Sequence, residues 1–89
     1  VRRRSRIGII VEILSELERE GEMPASRLAT YVNMPYDRLR PLLEQLEERG
    51  YLASRREGRS AFYRLTAEGQ AALSKLREAY ELLRSMGVA

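Results

Sequence analysis

The stretch from Leu46 to Leu73 constrains the fold most, because its punctuation leaves few options. An amphipathic helical pattern stops at Gly50, which can supply the left-handed residue that closes a helix. Two short runs follow, Tyr51 to Arg56 and Ala61 to Leu65, separated by Glu57-Gly58-Arg59-Ser60. This spacing predicts a β-hairpin whose tip and arms carry Arg55, Arg56, Arg59 and Arg64. Thr66 then offers an N-cap hydroxyl to a new helix, with Glu68 in the first turn, where the helix dipole favours a carboxylate.

Upstream, Ile7, Ile10, Val11, Leu14 and Leu17 repeat at helical spacing after a Ser5 cap, with Ile9 and Ile13 widening the apolar face and Gly21 marking the end. Pro24 suits the first turn of a short second helix through Val32, with Leu28, Ala29 and Val32 inward. Asn33-Met34-Pro35 breaks it. Pro35 pre-sets a third helix with Leu39, Leu42, Leu43 and Leu46 on its core face. Pro41 lies inside that helix and is expected to bend or loosen its first turns, although the leucine spacing runs unbroken across it. Two helices joined by a three-residue turn and followed directly by a hairpin predict a mostly α, α+β fold: three helices, a β-hairpin wing and a C-terminal helix. In that last helix Leu73, Leu76, Tyr80 and Leu83 alternate at spacings of three and four, a seam read as a dimerisation surface that packs with the first helix, the alternative being that it folds back on the chain's own core.

The division expected is a flexible basic arm over residues 1–6, the helix–hairpin domain over 7–66 and the C-terminal helix over 67–89. One domain exhausts 89 residues at 44% hydrophobic. With no Cys and no His, thiol and imidazole catalysis, disulfides and the usual zinc sites are excluded. No carboxylate pair falls at a spacing that compels an active site and no glycine-rich phosphate loop is present, so the reading is a non-enzyme with no cofactor. No apolar run reaches membrane-spanning length, and a cytoplasmic, nucleoid-associated protein is expected.

Charge distribution points to a polyanionic partner. Residues 1–6 carry +4 and residues 51–65 carry +3, whereas residues 7–22 carry −4. In the third helix Arg38 and Arg40 stand at the start and Glu44, Glu47 and Glu48 near the end, a polarity suited to insertion by the N-terminal end and opposed to lengthwise docking against phosphates. Arg38 is the leading candidate for contact with a base edge. Arg27, Tyr36 and Arg40 support it, and Arg55, Arg56, Arg59 and Ser60 are wing contacts to the DNA backbone. The arginines have a plainer reading as solvated charges, and Tyr36 as a half-core residue. Tyr51, Phe62 and Tyr63 read as hairpin packing, and Arg64 could equally pair with a glutamate of the first helix.

The run Tyr63-Arg64-Leu65-Thr66-Ala67-Glu68-Gly69-Gln70-Ala71-Ala72-Leu73 resembles the second wing strand and final helix of many winged-helix regulators. The run Leu42-Leu43-Glu44-Gln45-Leu46-Glu47-Glu48-Arg49-Gly50-Tyr51-Leu52 is similar to the end of their recognition helix. The chain thus resembles the winged helix-turn-helix superfamily, and most closely its archaeal Sso10a-type DNA-binding group, over roughly Arg6 to Leu76. That resemblance implies a homodimer that places its third helix in the major groove of double-stranded DNA and lays its wing on the adjacent backbone, as a transcriptional regulator or chromatin-type protein. Winged helices also serve as protein–protein modules, and the acidic first helix keeps that alternative open.

Overall fold

In the computed structural model, which describes residues 5–88, the elements run α1 (Arg6–Glu20), β1 (Met23–Pro24), α2 (Ala25–Val32), α3 (Tyr36–Glu48), β2 (Leu52–Glu57), β3 (Ser60–Leu65) and α4 (Ala67–Ser85). Most of the predicted arm, Val1 to Arg4, lies outside the described residues. Ser5 caps α1, its hydroxyl accepting the Gly8 amide at 2.9 Å.

The hairpin forms with Leu52 opposite Leu65 and Glu57 opposite Ser60, so the turn is Gly58-Arg59 alone. Inward-facing Leu52 and Tyr63 are buried while Arg55, Arg56, Arg59 and Arg64 stay exposed. A third strand was not expected. Met23 and Pro24 pair antiparallel with Tyr63 and Phe62, giving the sheet order β1-β3-β2. Pro24 therefore sits in an edge strand, where its missing N–H is tolerated, and α2 starts one residue later with Pro24 as its N-cap.

One core joins all the layers. Ile13, Leu14 and Leu17 of α1, Leu28 and Val32 of α2, Leu39 and Leu43 of α3, Leu52 of β2 and Leu73 of α4 are each at most 2% exposed. Truncating any of them leaves a cavity, a loss of about 2–5 kcal/mol for Leu→Ala. The α3 helix continues through Pro41, which is solvent-exposed. The leucine face continues on both sides of it, and its burial outweighs the missing backbone bond.

The α2–α3 turn ends α2 on Asn33, held left-handed at φ 56°, with its N–H donating to the Ala29 and Thr30 carbonyls. At the other junction Gly50 has φ 88°. The Tyr51 N–H then donates back to the Leu46 carbonyl at 2.9 Å, closing α3. Thr66 ties this corner to α4: its hydroxyl accepts the Gly69 N–H at 3.0 Å and donates to the Gly50 carbonyl at 2.6 Å.

The α4 helix folds back along α1. Leu73 is fully buried in the chain's own core, Leu76 packs against that core, and the Tyr80 ring edge and hydroxyl lie close against Gly8 on α1. The exposed apolar side chains of α4 and its end are Leu82, Met86 and Val88, with Tyr80 and Leu83 half-buried. Glu18 of α1 accepts hydrogen bonds from Gln70 and, at 2.8 Å, from Arg77 of α4, whereas the Arg64 pairing with a first-helix glutamate is not among the ion pairs of the described residues.

The Glu18 bridge gives the fold an acid-sensitive joint. Hydrogen bonds from Gln70 and then Arg77 hold the Glu18 carboxyl below its ordinary value. A carboxyl whose pKa is depressed in the folded chain stabilises it fully above the unfolded pKa of about 4.3, and that contribution disappears as pH falls through the folded value. The thermal midpoint should therefore drop as pH is lowered past about 4.3, and Glu18→Gln should flatten part of that dependence. A variant whose acid dependence matches the wild type would remove Glu18 from this role.

Candidate nucleic-acid interface

Both helices of the helix-turn-helix begin on a proline. Pro24 precedes α2 and Pro35 precedes α3, and neither helix has a side-chain cap bond at its N-terminus. Neither start offers its first-turn amides a side-chain acceptor, which favours an anion, more so at α2 than at α3, where the Arg38 N–H already donates to the Pro35 carbonyl at 3.0 Å and the Asp37 carboxylate stands in the first turn. The two starts face the wing across an open cleft of about 300 Å³ lined by Pro24, Ala25, Ser26, Tyr36, Arg59, Ser60 and Ala61. Three of the residues picked out by sequence, Tyr36, Arg59 and Ser60, thus converge on one concavity. Ser26 joins them there; its position directly after Pro24-Ala25 was the available signal.

The remaining candidates divide by their partners. Arg27 and Arg38 are exposed, on α2 and at the start of α3, and neither forms an ion pair among the described residues. Arg56 on β2 and Arg59 at the turn are likewise exposed and unpaired among the described residues. Arg40 instead pairs with Glu44 one helical turn on, at 3.0 Å, and that carboxylate raises its already high pKa. Arg55 is engaged more fully: it donates to Glu22 at 2.9 and 2.8 Å and to Glu57 at 3.2 Å, and lies 4.6 Å over the Phe62 ring centre. Glu22 was not legible as its partner, being 33 residues away in sequence.

Aromatic side chains frame this surface differently from one another. Tyr36 is 41% exposed at the cleft, whereas Tyr63 is 4% exposed and packs under the hairpin. Burial pushes the Tyr63 phenol up, with Glu47 and Glu44 adding to the shift, so it stays neutral through the physiological range. The second half of α3 presents Glu44, Glu47 and Glu48 along an open groove with Pro41 and Gln45. Apart from Asp37 in its first turn, α3 carries its arginines early, at Arg38 and Arg40, and its acids late, at Glu44, Glu47 and Glu48. Among the described residues there is no cluster of potential metal ligands and no helix long and apolar enough to cross a membrane.

Comparison with solved structures returns the same architecture. The chain superimposes on Sso10a-2, a DNA-binding protein from Sulfolobus solfataricus, with TM-score 0.82 and 20% identity, covering 93% of this chain and 85% of that one. The PcaV transcriptional regulator from Streptomyces coelicolor matches with TM-score 0.82 and 21% identity over 89% of this chain, which spans 58% of that longer protein. The AntR antimony-specific transcriptional repressor matches with TM-score 0.69 and 24% identity, covering 89% of this chain and 69% of that one. At these identities the likeness establishes the fold. Comparison with curated protein sequences gives no significant match. The sequence profile described as winged helix-turn-helix matches residues 3–84, from before α1 to near the end of α4. Two proline-started helices, a wing closing over their starts and a profile spanning nearly the whole sequence agree: the chain belongs to the winged helix-turn-helix family.

Proposed function

We propose that the chain is a double-stranded DNA-binding protein, a transcriptional regulator or chromatin-type protein acting in the cytoplasm on the nucleoid as a homodimer. The observation that carries this reading is the convergence of two helix starts without side-chain caps with Tyr36, Arg59 and Ser60 on the cleft between helix-turn-helix and wing, while Arg27, Arg38 and Arg56 are exposed on those same elements with no ion pair among the described residues. Phosphates fit the helix starts and the wing, where amide donors and guanidinium groups supply positive potential. Arg38, at the third position of α3, is placed to reach a guanine edge in the major groove once that helix enters by its N-terminal end. The acidic second half of α3 keeps the rest of the helix away from the backbone. Arg40, held by Glu44, supports the approach without being the reading residue.

The dimer contact in this reading lies farther out than Leu73, which the chain's own core occupies. Leu76 also packs inward, so the half-buried Tyr80 and Leu83 and the exposed Leu82, Met86 and Val88 offer the surface to a second copy. The winged-helix neighbours known as regulators and as a DNA-binding protein support this reading.

Arg38→Ala tests the division of labour. Its affinity for the preferred genomic duplex should fall roughly tenfold, the cost of removing a bidentate bond to a base, with a much smaller change on random duplexes. Equal losses on both would make Arg38 a phosphate contact, and no loss on either would remove the start of α3 from the interface.

A further inference from the structure

Arg55 differs from the other arginines of the wing in what it holds. Across the sheet, Arg55 on β2 is opposite Phe62 on β3, and Phe62 is in turn opposite Pro24 on β1. The Arg55 side chain runs along this row: its guanidinium passes 4.6 Å over the Phe62 ring and grips both carboxylate oxygens of Glu22, immediately before β1. Glu57, on the same strand, takes a third bond at 3.2 Å. The strand it reaches is two residues long and contains a proline, so backbone bonding fixes that edge weakly. A planar, two-pronged guanidinium stacked on an aromatic face is well suited to hold such an edge.

We propose that Arg55 is a positioning residue and not a DNA contact, and that the Glu22–Arg55 clamp sets the angle of the wing against the helix-turn-helix. The proposal rests on the DNA-binding reading above and deepens it. Grip then belongs to Arg56 and Arg59, which carry no ion pair among the described residues. It also reverses the expected sign for an acid. Removing a negative charge from a DNA-binding protein ordinarily raises affinity for a polyanion. Removing the Glu22 charge should lower it, because the wing loses its anchor. Glu22 and Arg55 are 32% and 50% exposed, so variants at either position are expected to fold.

The test compares wild type, Glu22→Gln, Arg55→Ala and Arg55→Lys for binding to a short random-sequence duplex across a salt series, with hydrogen exchange of residues 60–65 measured without DNA. Glu22→Gln and Arg55→Ala should each weaken binding about fivefold with the wild-type salt slope, and Arg55→Lys should not restore it, since an ammonium cannot make the paired bonds. Both charge-removing variants should exchange faster over residues 60–65. The proposal is overturned if Glu22→Gln binds as tightly as wild type or tighter, or if Arg55→Ala flattens the slope by about 0.9 and Arg55→Lys recovers it, the behaviour of a phosphate contact. Failure of the wild type to bind any duplex would defeat the DNA reading instead. Exchange then decides the clamp by itself, unchanged protection in Glu22→Gln counting against it.

Discussion

Gly69→Ala should lower the thermal midpoint by about 15 °C, an effect of about 3 kcal/mol in a domain of this size. A single methyl group produces so large a loss because of where it would sit. A Cβ on Gly69 would overlap the Tyr51 carbonyl oxygen, and the Leu65 side chain is already 3.2 Å from the same point. The carbonyl cannot retreat freely. It accepts the Thr66 N–H at 3.2 Å, and Thr66 in turn bridges the Gly50 carbonyl and the Gly69 amide. The end of α3, the start of β2 and the start of α4 are therefore packed through one backbone contact. In a helix Ala is ordinarily the better residue by up to about 1 kcal/mol, so propensity alone predicts the opposite sign. A Gly69→Ala protein as stable as wild type, by calorimetry or chemical unfolding, would mean that this corner is not packed as described.

The second large effect belongs to the wing. Arg56→Ala/Arg59→Ala should weaken binding on the order of a hundredfold near 0.1 M salt, on specific and random duplexes alike. The reason is counterion release. Each guanidinium that neutralises a phosphate frees condensed cations, and each such guanidinium removed makes the slope of log affinity against log salt shallower by about 0.9. Neither residue pairs with an acid among the described residues, so their charge is free for phosphate, and their removal leaves no buried acid behind. Folding stability should change by less than about 0.5 kcal/mol, which separates this variant from Gly69→Ala. Retention of wild-type affinity would take the wing out of the interface.

The elements that carry local chemistry were legible in the sequence. Gly50, the Glu57 to Ser60 separator and Thr66 mark their corners by backbone and capping preferences that act within four residues, and the hairpin lies within a residue or so of its expected limits. The leucine spacing of α3 likewise survives Pro41. What sequence did not disclose depends on partners distant along the chain. β1 is two residues long, too short for alternation to register, and its proline reads more naturally as a helix start; pairing with Phe62 and Tyr63 creates it. The seam at Leu73 and Leu76 was periodic enough to suit either a second copy or the chain's own α1, and burial against α1 and the core takes those two positions. In the candidate site, residue type and charge pointed alike to Arg27, Tyr36, Arg38, Arg40, Arg55, Arg56, Arg59 and Ser60. The same reasoning could not separate Arg55 from Arg56, adjacent in sequence and alike in chemistry, because the difference is made by Glu22 across the sheet.

The central claim, that a paired winged helix grips duplex DNA through the α3 start and the wing, is most directly tested by titrating the wild-type protein against salt on genomic and random duplexes. With Arg27, Arg56 and Arg59 on phosphates in both copies, log affinity should fall linearly with log salt with a slope of about −5, and the preferred genomic duplex should hold a modest advantage at every salt concentration. Absence of binding at low salt, or a slope flatter than about −1, would contradict the account.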